Sequence, residues 1–445
     1  MSTSTAALSR PAHGTASAQR LSTTGRLFIS VMLIVIFEGA IRKWVAEAST
    51  LPLILVRDLL VSYTVVRALM RGLLRRHLLL AQIMLVWSTC VLGWGLLQIT
   101  LGESNFAVLL IGLRFWLLYV WFALAAAAGM SEHDYVVSVR VLLGSLVVMA
   151  PLAALQHFSP PGAFVNRGLE ADEEDIFVVI AGVVRTTGTF SFTSGFATFV
   201  GACAPFALGA FEARQPRLLH RVLALAVLAS LIACAMVSGA RASIIYTGGM
   251  MALFLLGNLL FAPVRRKGIA LISALLLVLA VAGLAFLLQG AVEATQERFQ
   301  TASEGEDFVA RVLSIFMGEP GVLKRVDWLG AGVGIGSNLA QFVQFSGRTV
   351  FVYAESEAGR TLIEGGLVGA LFILLKVGLV VIGIVAGLRR SIQTRAAFPL
   401  LVWVAISIAI LTWPVIGQLT AHGIFGILLA LGLLCLRYPT LRLFG

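Results

Sequence analysis

Arg241 follows Ser238-Gly239-Ala240 in a tight turn between two apolar runs, and Arg360 lies about one turn into another. Arg57 and Arg114 sit within apolar runs, Arg42 and Lys43 close the first, and Arg185 and Arg311 occupy the long polar segments between runs. A guanidinium presents a planar fork of donors that matches two oxygens of a phosphate or carboxylate at once. Guanidiniums gathered beside apolar sequence therefore point to an anionic ligand held at a membrane edge. Carboxylates accompany them: Glu38, Asp58, Glu357 and Glu364. A carboxylate can act as a general base when its surroundings tune it, which makes Glu357 the first candidate. His422, after Trp413-Pro414, is the second. Each residue also has a structural reading. Glu357 can pair with Arg360 at i, i+3, His422 can be a satisfied interface histidine, and the arginines can snorkel or pair with Glu and Asp.

The elements that must position these side chains are apolar helices. The chain is 59% hydrophobic and 12% charged, against roughly 25% charged in soluble domains. So little charge cannot cover a water-facing surface, and the expected fold is an all-α integral membrane protein. A span needs about 20 apolar residues, and the sequence offers about 12. They are Leu27–Ala40, Leu51–Leu69, Leu78–Ile99, Phe106–Gly129, Val136–Leu155, Phe192–Phe211, Leu219–Val237, Ala242–Phe261, Ile269–Gln289, Ala358–Leu388, Phe398–Trp413 and Gly417–Leu436. Residues 1–25 read as a disordered tail and 26–445 as one polytopic domain, with long loops over 156–191 and 290–357. No internal repeat is evident.

Lys and Arg retain loops on the cytoplasmic side. With the N-terminus there, 19 of the 33 basic residues fall on cytoplasmic stretches, among them Arg71, Arg75, Arg76, Arg217, Arg221, Arg389 and Arg390. Both termini are then cytoplasmic and both long loops lie outside. This bias accounts for the net charge of +11 without nucleic acid. The basic residues on the other side are the informative ones. Arg57 and Arg114 lie about 10 Å below the outer surface at helical rise, where a charge is costly unless it faces a polar cavity or a partner. A charged, protein-lined cavity in the outer leaflet is expected, with Arg42, Lys43, Arg57, Arg114 and Arg185 as substrate-binding candidates beside Arg241, Arg311 and Arg360. Glu364 and His422 complete the set.

Other features are weaker. Cys90, Cys203, Cys234 and Cys435 fall in apolar runs at no metal-ligand spacing and read as small hydrophobes. Gly330 to Gly336 holds glycine at every second position, but a dinucleotide fingerprint needs a preceding strand and a cytosolic nucleotide. A turn that lets backbone approach a glycan or a helix is the better reading. The acidic run Glu170–Asp175 lacks the spacing of a calcium loop.

Several segments carry a resemblance. Ser238-Gly239-Ala240-Arg241-Ala242-Ser243 resembles the S-G-S-R-type turn of the O-antigen ligase and Wzy-type polymerase superfamily. Glu306-Asp307-Phe308-Val309-Ala310-Arg311 followed by the glycine run is similar to that family's arginine-bearing loop helix and G-x-G-type segment. The stretch from Ala354 to Gly369, with Glu357, Arg360, Glu364 and Gly365, resembles its H-N-x-x-L-x-x-x-x-E-x-G-x-x-G entry into a span. Glu38-Gly39-Ala40-Ile41-Arg42-Lys43-Trp44 and Arg185-Thr186-Thr187-Gly188-Thr189-Phe190 fit a polymerase-like subgroup.

The resemblance implies a membrane glycosyltransferase (C-type) fold with a large periplasmic loop between spans 9 and 10, in the bacterial inner membrane. It implies an undecaprenyl-diphosphate-linked oligosaccharide as donor, no metal or nucleotide cofactor, and a chain-length regulator and export proteins as candidate partners. Arg241 and Arg360 would hold the diphosphate, with Arg311 closing from the loop. Where ligases of the family carry a loop-end His, this chain has Glu355 or Glu357. A ligase transferring finished glycan, or a lipid-linked glycan transporter, are the alternatives; the Glu38–Trp44 piece favours the polymerase.

Overall fold

The computed structural model describes residues 20–167, 178–179, 183–213, 217–263, 278, 282–283, 286, 308–340, 343, 354, 356–441 and 443. The described chain is helical except for one two-rung antiparallel ladder, β1 (Val178–Val179) with β2 (Val183–Val184). The helices are α1 Thr23–Trp44, α2 Thr50–Met70, α3 Leu73–Thr100, α4 Phe106–Gly129, α5 Glu132–Phe158, α6 Thr193–Glu212, α7 Leu218–Val237 and α8 Arg241–Phe261. They continue with the short α9 Phe308–Met317, then α10 Glu357–Thr394, α11 Phe398–Thr412 and α12 Leu419–Arg437.

Nine of these, all but α2, α9 and α11, are long and apolar enough to cross a membrane among the described residues. Two of the twelve expected spans are helices that fall short of that standard. α2 carries Arg57, Asp58 and Arg67 within 21 residues, and α11 has only 15. The expected span Ile269–Gln289 lies outside the described residues apart from isolated positions.

Capping ties alternate connections together at one end of the bundle. Ser22 caps α1 by accepting from Gly25 N, and its own amide donates to Asp134 Oδ1 at 2.8 Å. Asp134 also completes a capping box with Ser131 at the start of α5, a reciprocal closure of orphan amides. Arg67 donates to Thr24 Oγ1, Arg76 to the Ala128 carbonyl, and Glu212 accepts from the Ala397 and Phe398 amides. Arg140 reaches the Leu443 carbonyl. The first and last described segments thus meet the same end of α5.

α6 and α12 sit at the centre. From Gly195 to Ala210 nearly every residue of α6 is buried, and small residues there let neighbours approach. A Cβ at Gly201 would lie 3.2 Å from the Trp413 ring. The core joins Phe28, Val31 and Val35 of α1, Tyr119 and Phe122 of α4, Phe199 and Phe206 of α6, and Leu428 and Leu431 of α12. By contrast α3 and α10 leave long apolar faces open, with Leu79 70% and Leu374 68% exposed. Such faces suit hydrocarbon and would be a liability in water.

The glycine run lies in the packed interior. Gly330, Gly332 and Gly334 have φ of +78°, +124° and +101°, the region glycine favours. A Cβ on Gly334 would fall onto the Gly112 amide and within 2.5 Å of the Val108 carbonyl of α4. The approach is to a helix. Gly334→Ala is expected to lower the unfolding temperature of the detergent-solubilised protein by several degrees, because strain and overpacking add. Gly248→Ala, where nothing lies within 4 Å, should leave it unchanged or raise it, as intrinsic fluorescence on heating would record.

Candidate functional site

The first charged group spans four helices. Arg57 of α2 is 0% exposed, and its Nη1 meets both Glu38 oxygens of α1 at 2.7 and 2.8 Å. Arg114 of α4 grips Asp58 bidentately, at 2.5 Å from Nε and 3.1 Å from Nη2. Tyr119 OH donates to Asp58 at 3.3 Å, and both guanidiniums lie 5.8 Å from its ring centroid. His422 of α12 places Nε2 3.2 Å from the Arg114 carbonyl and its ring against Phe115 and Tyr119. A carbonyl partner makes Nε2 the donor in the neutral tautomer. Two cations face two anions here, so this set is electrically balanced. Among the described residues, Arg57 Nε and Nη2, Arg114 Nη1 and His422 Nδ1 have no hydrogen-bond partner.

A local widening of α4 makes this geometry possible. Arg114–Leu118 form one π-helical turn, a feature that inserts a residue and often marks functional sites. Consecutive side chains then serve different neighbours. Arg114 reaches α2, Phe115 packs on His422 of α12, and Trp116 Nε1 donates to Glu364 Oε2 of α10 at 2.8 Å.

The second group forms around the segment Arg185–Phe190. Lys43, nearly buried, donates to Thr187 Oγ1 at 2.9 Å and the Gly188 carbonyl at 2.8 Å, with Nζ 4.7 Å over the Trp44 ring. Gln156 Oε1 accepts from the Thr187 and Gly188 amides. Thr186 Oγ1 donates to the Val237 carbonyl and Thr189 Oγ1 to that of Ile36. The segment is therefore fixed to α1, α5 and α7. It lays Arg185 against Gly239, whose φ is +62° and where a Cβ would come 3.2 Å from Arg185 Cγ. Arg241 opens α8 two residues later. Burial, and after it the Arg241 charge, pushes the Arg185 pKa below its ordinary value. Arg42 Nε donates to Thr50 Oγ1 at 2.8 Å, across the α1–α2 connection.

The third group is the start of α10. Residues 357–365 and 367–394 are two helices joined at Gly366, whose φ of +52° and ψ of −120° are non-helical, so the expected single span Ala358–Leu388 is broken and the chain doubles back there. The Leu367 amide donates to the Trp328 carbonyl at 2.9 Å. On the short arm, 357–365, Glu364 is fully buried. It accepts from Trp116 and from the Gly334 and Gly336 amides at 3.0 and 2.9 Å. Its carbonyl accepts from Gln98, whose Oε1 in turn takes the Val333 amide. Glu364 thus anchors the glycine run. Arg360 donates from Nε to the Ala354 carbonyl at 3.0 Å and lays its guanidinium on Gly417. The ion-pair partner of Glu357 is Lys376, at 3.0 Å, and its two oxygens accept from the Ile416 amide. The expected pairing of Glu357 with Arg360 is replaced because the reversal at Gly366 brings the second arm alongside.

Arg185 with Arg241, Arg57 with Arg114 and His422, and Arg360 with Glu357 are the residues brought together. Their helix ends all lie opposite the Ser22 end. Arg311 belongs to α9, with its side chain outside the described residues, as are Glu355 and Glu170–Asp175. Sequence reasoning missed Ser243, Tyr246 and Thr247, whose hydroxyls are buried on one face of α8 without hydrogen-bond partners among the described residues. Their i, i+3, i+4 spacing in an apolar run was the available signal. Compared with protein-family models, with curated proteins and with solved structures, the chain matches none.

Removing one member of a buried ion pair leaves the other uncompensated, at about 3–5 kcal/mol. Glu38→Gln should therefore destabilise the protein strongly in denaturant titrations, and Glu38→Leu with Arg57→Met should recover most of the loss.

Proposed function

We propose that this chain is a membrane glycosyltransferase that polymerises undecaprenyl-diphosphate-linked oligosaccharide units at the periplasmic face of the bacterial inner membrane. The observation that carries the reading is the packing of Arg185 against Gly239, two residues before Arg241 opens α8. These arginines and Arg360 belong to helix ends on the side of the bundle opposite Ser22. The described residues at the Ser22 end include Arg67, Arg71, Arg75, Arg76, Arg217, Arg221, Arg389 and Arg390, which favours that end as cytoplasmic. The resemblance in the Ser238–Ser243, Ala354–Gly369 and Glu38–Trp44 segments supplies the substrate class.

In this reading an acceptor hydroxyl oxygen attacks the anomeric carbon of the donor sugar. The carbon–oxygen bond to the diphosphate breaks, its electron pair stays on the phosphate oxygen, and the hydroxyl proton passes to a base. Arg241 and Arg360, with Arg311 from α9, offset the charge that develops on the leaving diphosphate. Preorganised donors of this kind act most strongly where water is excluded. Arg185 adds to the same field. Arg57 and Arg114 are already matched by Glu38 and Asp58, so their part is to hold the helices that carry the site. By chain position Glu357 and then His422 are the candidate bases, and the contacts of both Glu357 oxygens with Lys376 and the Ile416 amide count against the first. The leaving diphosphate supplies its own driving force, so the reading needs neither metal nor nucleotide.

Purified protein given a short undecaprenyl-diphosphate oligosaccharide should yield a ladder of repeat-unit multiples on a gel. Arg241→Ala and Arg241→Lys should each cost about 100-fold or more, since lysine keeps the charge and loses the fork. Near-normal ladders from both would remove Arg241 from the site. Transfer only when a core lipid is supplied would instead identify a ligase, and no product under either condition would favour a transporter.

A further inference from the structure

Lys376 lies nineteen positions beyond Glu357, across the Gly366 break, and Nζ and Oε1 are 3.0 Å apart. On a straight helix that spacing would be about 28 Å. The contact exists because Gly366 turns the chain back on itself, and a Cβ at Gly369 would fall onto the Thr361 carbonyl. Lys376 is 12% exposed and the Glu357 side chain 2%. A charge placed so far into an apolar span is costly unless it serves its partner.

The same carboxylate accepts from the Ile416 amide, at 3.1 Å from each oxygen. The next residue, Gly417, carries the Arg360 guanidinium on its Cα and gives its carbonyl to the Asn338 amide at 3.1 Å. Lys376, Glu357, Ile416, Gly417 and Arg360 are therefore one chain of contacts. Neither Glu357 oxygen is idle: both accept from the Ile416 amide, and Oε1 also accepts from Lys376 Nζ.

We infer that Lys376 is a positioning residue for Arg360, acting through Glu357, and that this ion pair is a strut across the Gly366 reversal instead of a source of the general base. The inference rests on the proposed glycosyltransferase reading only in assigning Arg360 to the diphosphate. Lys376 holds Glu357, Glu357 holds the 415–417 turn, and the turn fixes the plane in which the Arg360 fork is presented. Nothing in the chain of contacts moves a proton.

The test compares the unsubstituted protein with Glu357→Gln, Lys376→Met and the double variant, all in lipid nanodiscs. Two quantities are read: binding of undecaprenyl diphosphate and initial rate of ladder formation. Each single variant strands a buried charge and should weaken binding and rate by about tenfold or more, whereas the double variant strands none and should recover to within about fivefold. On an Arg360→Ala background, Lys376→Met should weaken diphosphate binding no further, because its effect passes through Arg360. A double variant as slow as Glu357→Gln, with diphosphate binding restored, would make Glu357 the base and overturn the inference. Additive losses of Lys376→Met and Arg360→Ala would overturn it too, by giving Lys376 a structural role elsewhere. If the unsubstituted protein neither binds undecaprenyl diphosphate nor forms a ladder, the functional reading falls and takes this assignment with it. If it does both, only the strut is at stake.

Discussion

A guanidinium enclosed among apolar helices must bring its counter-charge with it, and Arg57 is where this fold meets that demand. Its head group is fully enclosed, and Glu38 of α1 lies 2.7 Å away. The desolvation of such a pair is costly, and only close geometry and further donors offset it. Here the offset recruits neighbours in turn. Asp58, adjacent to Arg57, binds Arg114 of α4, and the Arg114 carbonyl fixes His422 of α12. α1, α2, α4 and α12 are thus registered by one polar lattice, where apolar packing alone would allow sliding. Lys43, one and a half turns beyond Glu38, inherits that register and passes it to the Arg185 segment.

The same demand governs backbone. Irregular chain is tolerated among membrane helices only where protein supplies the missing hydrogen bonds. The glycine run is such a segment, and Glu364 and Gln98 answer for it. Between them they receive the Val333, Gly334 and Gly336 amides and bind the Leu329 carbonyl. A buried carboxylate that would look catalytic on burial alone is here the acceptor for a loop. Glu357 shows the same habit, with Lys376 and the Ile416 amide around it.

Much of this was legible in the residues. Among the described residues hydropathy located most helices to within a few positions, because apolar runs of about 20 residues have few other uses, but it ran Ala358–Leu388 straight through the break at Gly366. The acidic companions Glu38 and Asp58 were recognisable, since an intramembrane arginine implies one. Partner choice was not. Glu357 pairs with Lys376 because a single glycine at φ +52° reverses the chain, and Gly366 looks in sequence like any small residue in a span. Likewise nothing marks Arg114–Leu118 as a π turn, yet that turn decides that Trp116 meets Glu364 and Arg114 meets Asp58. The i, i+3 pair is lost although the helix is intact between Glu357 and Arg360, because the returning arm offers Lys376 instead. The arginines at the Gly239 turn were easier, because a tight turn leaves few directions for the chain.

α11 has a consequence for depth. Its 15 residues extend about 22 Å at 1.5 Å per residue, beside a hydrocarbon layer of about 30 Å. Most of its surface is packed against other helices, so lipid has no need to thin or tilt to match it. The mismatch is absorbed inside the protein. The chain after Trp413 leaves the helix early, and the Pro414–Gln418 turn brings Gly417 against the Arg360 guanidinium. The length that α11 lacks is taken up by a turn, and it is this turn that backs the Arg360 fork.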